Sequence, residues 1–128
     1  MVNKISQVKF EPMNEIHNQE VKVLNELLEA IEQDKDIESK FNVFLDDVKN
    51  HFDFEQNLME KHNFFAKVPH KMEHDRIINE LKEIKQSSFS NTELLEYFNQ
   101  YFIPWLENHI NTMDTVTAGY FDMVGVKI

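Results

Sequence analysis

The sequence predicts an all-α fold: an up-down-up-down four-helix bundle with a short N-terminal arm and an apolar C-terminal tail. Three observations carry this. Apolar residues recur at three- and four-residue steps in four separate stretches, the spacing that gathers them on one helical face. Breakers are scarce, with two glycines and three prolines in 128 residues. The connectors between the stretches are short, which most simply joins neighbouring helices antiparallel. A chain of this length is expected to form one domain, over residues 1–128.

The first helix is expected from about Met13 to Gln33, on the stripe Val21, Leu24, Leu27/Leu28 and Ile31. One turn back from Val21 the same stripe reaches His17. The polar run "QDKD" ends it. The second is expected from about Ile37 to Lys61, with Asp36 as N-cap. Its stripe is Phe41, Phe44/Leu45, Val48, His51/Phe52, Glu55 and Leu58/Met59. The third starts near Pro69, a residue suited to a first helical turn, and runs to about Gln86. In it "HKMEH" sets His70 and His74 one turn apart, and Ile77, Leu81 and Ile84 continue their stripe. The fourth opens with "SNTE", where Ser90 and Glu93 have capping-box spacing. It continues through Leu94, Phe98, Tyr101/Phe102, Trp105/Leu106, His109 and Met113. Pro104 lies inside it and is expected to bend or break it, because proline removes the hydrogen bond to the carbonyl of Gln100. The tail after Asp114 is apolar enough to cover part of the bundle.

Composition excludes several classes of function. There is no cysteine, hence no disulfide, thiolate metal site or cysteine nucleophile. No stretch approaches the ~18 consecutive apolar residues of a membrane span, and the first ten residues lack the core of a signal peptide. A cytoplasmic location is the expectation. The formal net charge of -10, with basic residues scattered and outnumbered, argues against nucleic acid as a partner.

Five of the six histidines sit on the core stripes: His17, His51, His70, His74 and His109. Two carboxylates join them. Glu55 follows His51 by four residues, on the same face. Asp114 follows His109 by five, about 140° round an ideal helix, unstacked but still able to line one side of a cavity. A lone buried histidine is more often a satisfied core residue than a ligand, and His51 with Glu55 alone is an ordinary helical pair. The joint pattern decides: every predicted helix carries an inward histidine, and two carry an inward carboxylate. Such density destabilises an apolar core unless a metal binds the groups together. His62, near the end of the second helix, is read as a partly exposed loop residue. Seven ligands exceed the needs of one ion with open chemistry. Two six-coordinate ions sharing two carboxylates and one oxygen leave a single free position. Imidazole suits zinc, copper, iron or nickel, and bridging carboxylates with oxygen favour iron or manganese, so iron is the best compromise.

Taken together, "IHNQE", "HFDFEQNLM", "HKMEH" and "WLENHINTMD" resemble the hemerythrin family in all seven ligand positions, over about residues 10 to 121. The resemblance implies two iron ions in a four-helix bundle. His70, His74 and His109 would hold one, and His17 and His51 the other. Glu55, Asp114 and an oxo or hydroxo group would bridge them. It also implies that dioxygen binds reversibly at the open position of the second ion. Leu106, Phe52 and Met59 are candidate linings of that oxygen pocket.

The sequence departs from the family pattern at several points. Gln56 stands where the family often repeats Glu, Phe10 lies near where a Trp is usual, and "MNEI" replaces an expected Asp. Glu20 stands three residues after the first histidine, where the family is usually aliphatic. It either swings out to solvent or reaches the oxygen pocket, where a third carboxylate would promote autoxidation. The expected function is oxygen storage, delivery or scavenging rather than catalysis. The alternatives are a di-iron redox or stress protein acting on peroxide or nitric oxide, a sensor module, or metal binding without oxygen chemistry.

Overall fold

The computed structural model describes residue 2 and residues 5–128. Among these residues the chain is all-helical, with four helical rods and no strands, consistent with a helical bundle. The first three rods are α1 (Glu11–Gln33), α2 (Ile37–Lys61) and α3 (Lys67–Gln86). The fourth is one continuous rod built from α4 (Asn91–Tyr97), a π segment (Phe98–Phe102), α5 (Ile103–His109), a second π segment (Ile110–Asp114) and α6 (Thr115–Val124). No helix is long and apolar enough, among the described residues, to cross a membrane.

Helix starts follow local chemistry, with one exception to expectation. Ser90 and Glu93 form the predicted capping box: Glu93 N–H donates to Ser90 Oγ at 3.2 Å, and Ser90 N–H donates to Glu93 Oε1 at 3.1 Å. Asp36 does not cap α2 with its side chain. Its backbone is left-handed (φ 58°), which turns the carboxylate away, and only its carbonyl engages the helix, accepting from Lys40 N–H. Gly125, at φ 72°, ends α6 in the left-handed conformation that glycine tolerates best. Val2 and Val8 are held along α1 by two asparagines. Asn25 pairs with both backbone groups of Val2 (2.9 and 2.7 Å), and Asn14 pairs with both of Val8 (2.8 and 3.0 Å).

The fourth rod departs most from the sequence expectation. Pro104 does not break it. A π turn precedes the proline, with Ile103 N–H bonded to the carbonyl of Phe98, and the widened turn accommodates the ring while helical bonding continues. The chain after Asp114 continues the same rod, with Thr117, Ala118 and Phe121 buried. Tyr101, expected inward, is 66% exposed, and Tyr97 is buried instead. Leu94, Phe98, Phe102, Leu106, Ile110, Asp114 and Ala118 are all buried and lie four residues apart. In an ideal helix each step of four drifts about 40° round the axis. Each π turn absorbs one extra residue, so two of them return nearly all of the accumulated drift and keep these seven positions on one face.

The core has two parts. The larger is built from residues such as Leu24, Leu28, Phe44, Phe52, Leu81, Phe98 and Leu106. The smaller holds Phe10, Met13, Met59, Phe64, Ala118 and Phe121. Along every rod the histidines and carboxylates named above fall between the two, as a buried polar layer.

Candidate metal centre

Each rod delivers its polar side chains to this layer by simple helical spacing. His51 and Glu55 are one turn apart on α2, as are His70 and His74 on α3. His109 and Asp114 are five residues apart and do not need the 140° separation of an ideal helix. The second π segment lies between them, with Thr115 N–H bonded to the carbonyl of Ile110. It takes up the extra residue and brings Asp114 where an i+4 residue would stand. Deleting the exposed Thr112 should therefore relax the π turn to α-helix and preserve metal content. Deleting the exposed Lys22 from α1, which has no such turn, should rotate His17 off the layer by about 100° and lower metal content. Metal analysis of the two purified deletion proteins checks this.

The seven side chains converge as two overlapping groups, each with ligand atoms within 4.8 Å of one another. One comprises His70, His74, His109, Glu55 and Asp114; the other comprises His17, His51, Glu55 and Asp114. The carboxylates divide their oxygens between the groups. Glu55 Oε2 faces His51 Nε2, with His17 Nε2 at 3.7 Å, while Oε1 faces His70 Nε2 at 3.3 Å and His74 Nε2 at 3.5 Å. Asp114 Oδ2 lies 3.0 Å from His17 Nε2, and Oδ1 lies 3.0 Å from His70 Nε2 and 3.1 Å from His109 Nε2. All five imidazoles present Nε2 inward. His62 is in neither group; it ends α2, and its carbonyl accepts from Tyr120 Oη–H at 2.5 Å.

Two tests show that these residues fit a metal. Among the described residues, eight buried side-chain polar atoms lack a hydrogen-bond partner, and five of them face the middle of the layer: His17 Nε2, Glu55 Oε1, His70 Nε2 and both oxygens of Asp114. The atoms are close but misdirected for hydrogen bonds, as lone pairs aimed at a common centre are. The electrostatics agree. Burial alone would suppress charge on His17 and His70, yet Asp114 and Glu55 beside them raise both to about 9. Burial likewise opposes charge on His51, and Glu55 with Glu20 raises it well above its usual value. Glu55 and Asp114 are held below the carboxylate range, against burial, by the surrounding imidazoles. His74 is lowered to about 3, first by burial and then by its imidazole neighbours. The layer is a site that demands positive charge.

The outward nitrogens of His51, His70 and His74 have partners of their own, which the sequence reading missed. His70 Nδ1 meets Thr117 Oγ1 at 2.8 Å, and His74 Nδ1 meets the Gln56 amide at 3.3 Å. Phe52 stacks flat on His74 at 3.8 Å, and Trp105 stacks on His109 at 4.7 Å while donating to Glu73. Thr117 carried a legible signal, since it lies one turn from Asp114 on the buried face. Gln56 looked like a neutral departure.

Glu20 points inward. It is 1% exposed, so it does not face solvent, and its Oε1 lies 2.9 Å from His51 Nδ1, on the far side of that ring from the two carboxylates. Helical geometry turned it inward, but the neighbouring histidine intercepts it. The other candidate pocket residues, Leu106, Phe52 and Met59, are all buried. Phe52 and Leu106 belong to the larger core, and Met59 belongs to the smaller one across the polar layer. A cavity of about 360 Å³ reaches His70 and Thr117 from the side of Phe64, Pro69 and Val116, and none of those candidates lines it.

Comparison with known proteins agrees with this geometry. The family model described as the hemerythrin HHE cation binding domain matches residues 8–120. A "Bacteriohemerythrin" from Aquifex aeolicus (strain VF5) is 33% identical over 122 residues, covering 91% of this chain and 92% of that protein. "Hemerythrin-like" proteins of Naegleria gruberi and Naegleria fowleri are each 31% identical over 102 residues, 80% of both chains. No solved structure matches at the same stringency.

Proposed function

The chain belongs to the hemerythrin family, and from that premise we propose a non-haem di-iron protein that binds dioxygen reversibly. One domain over residues 1–128, with its rods running up-down-up-down, holds the pair of ions. His70, His74 and His109 would hold one ion, and His17 and His51 the other, with fewer histidines and so with room for dioxygen. Glu55 and Asp114 would be shared between the two. The observation that carries this reading is the division of each carboxylate's two oxygens between the three-histidine and the two-histidine groups.

The ions, when bound, supply the electrons and the open coordination position for dioxygen. The chain supplies the rest. Five neutral imidazoles against two carboxylates leave a diferrous pair with one surplus positive charge after a hydroxide is counted. Carboxylate-rich ferritin-like sites carry more anionic ligands; this donor set instead favours the ferrous state and simple release. The Thr117 hydroxyl donates to the Met113 carbonyl and so accepts from His70 Nδ1–H, which keeps Nε2 of His70 as the ligand atom. Phe52, Leu106 and Met59, all buried, keep bulk water from the layer.

A second reading, redox turnover on peroxide or nitric oxide, is favoured by one observation: the buried carboxylate of Glu20 behind His51. Optical titration of the reduced iron-loaded protein with oxygen separates the two. A charge-transfer band that forms on oxygenation and vanishes on deoxygenation supports carriage. Direct conversion to the oxidised form supports turnover. Metal analysis should give two ions per chain, and one equivalent in fully loaded protein would overturn both readings.

A further inference from the structure

The five imidazoles are not supported alike. His70 and His74 have neutral partners, a hydroxyl and an amide. His17 Nδ1 has none. His51 alone has a carboxylate behind it. That carboxylate is almost fully buried, its second oxygen lacks a partner, and its one polar contact among the described residues is His51. The nearby acid, Asp47, adds negative charge instead of relieving it; burial and then Glu20 push Asp47 up to about 6. A buried carboxylate without a cation is costly. Here the compensating charge lies one ring away, at the Nε2 side of His51.

We propose, resting on the two-iron reading, that Glu20 is the positioning residue of the two-histidine ion. It accepts a hydrogen bond from His51 Nδ1–H, holds Nε2 toward the ion pair, and makes that ion the easier of the two to oxidise. With Nε2 on the metal, Nδ1 must carry the proton, and a carboxylate acceptor there strengthens the ring as an electron donor. A stronger anionic donor stabilises the ferric over the ferrous state. The hydroxyl and amide behind His70 and His74 do this less. The two ions are thereby made unequal, and the one with the open position has the lower potential.

The test compares the iron-loaded full chain with its Glu20→Gln and Glu20→Leu variants, by chelator competition and by the potential of the first oxidation step. Glu20→Gln keeps a hydrogen-bond acceptor of nearly the same shape and loses the charge; Glu20→Leu loses both. Glu20→Leu should release one of its two ions at about 10–100-fold lower chelator concentration, and Glu20→Gln should retain both. Both variants should oxidise at a higher potential than the parent chain. A Glu20→Leu protein that holds both ions as tightly as the parent would overturn the positioning role. A Glu20→Gln protein with the parent potential would overturn the role of the charge. Failure of the parent chain itself to take up two ions would instead bring down the two-iron reading, and that measurement comes first.

Discussion

Replacing His74 by Leu is expected to empty the three-histidine position and, with it, most of the metal pair, whereas His62→Leu leaves metal content and spectrum unchanged. His74 is fully buried in the polar layer, 3.2 Å from His109 and 3.5 Å from Glu55. Its loss removes a direct ligand, so the effect should exceed the ~10–100-fold that loss of a supporting residue costs. On the two-ion proposal the shared carboxylates would spread the damage, because Glu55 and Asp114 would be left with one cation where they need two. His62 bonds through its backbone carbonyl, which any side chain would keep. Equal behaviour of the two variants, measured by metal analysis and absorption spectra, would show the histidines wrongly divided.

Removing the metal should lower the melting temperature by roughly 10 °C or more. An ion bound a thousandfold above its dissociation constant contributes about 4 kcal/mol, and about 3–5 °C accompanies each kcal/mol in a chain of this size. The gap should widen as pH rises. In the metal-free protein His17 and His70 are raised to about 9, so their contribution to stability is fully present below about 6.5 and is lost as pH climbs towards 9. Metal binding needs neutral imidazoles and strengthens over the same interval. Melting curves of loaded and stripped protein at pH 6.5 and 9 check both the gap and its direction. Equal melting at both values would contradict the stabilising role of the ions.

The parts of the fold and candidate site set by helical period were readable in the sequence. The inward stripes of α1, α2 and α3 and the Ser90 cap depend on neighbours within two turns, and they lie where periodicity put them. The fourth rod was harder, because an ideal helix was assumed. The strict spacing of four from Leu94 to Ala118 was visible and is the mark of a rod wound more loosely than 3.6 residues per turn, but its meaning needs the π turns to be seen. Glu20 could not be placed at all. Its direction was half determined by its own helix, and the atom it meets belongs to α2, which sequence spacing on α1 does not report.

The polar layer also divides the molecule into two zones of unequal endurance. The larger apolar core closes the end around the α1–α2 turn and the start of the fourth rod, while the smaller one holds the N-terminal turn of α1, the end of α2, the α2–α3 connection and α6. The layer is the joint that lets the small zone share the cooperativity of the large one. Without a cation the joint should hold less well, and hydrogen exchange of the metal-free protein should show amides around Met59, Phe64 and Phe121 exchanging before those around Leu28 and Phe98. The occupancy of a buried centre would then be legible from outside, as the looseness of one end of the protein.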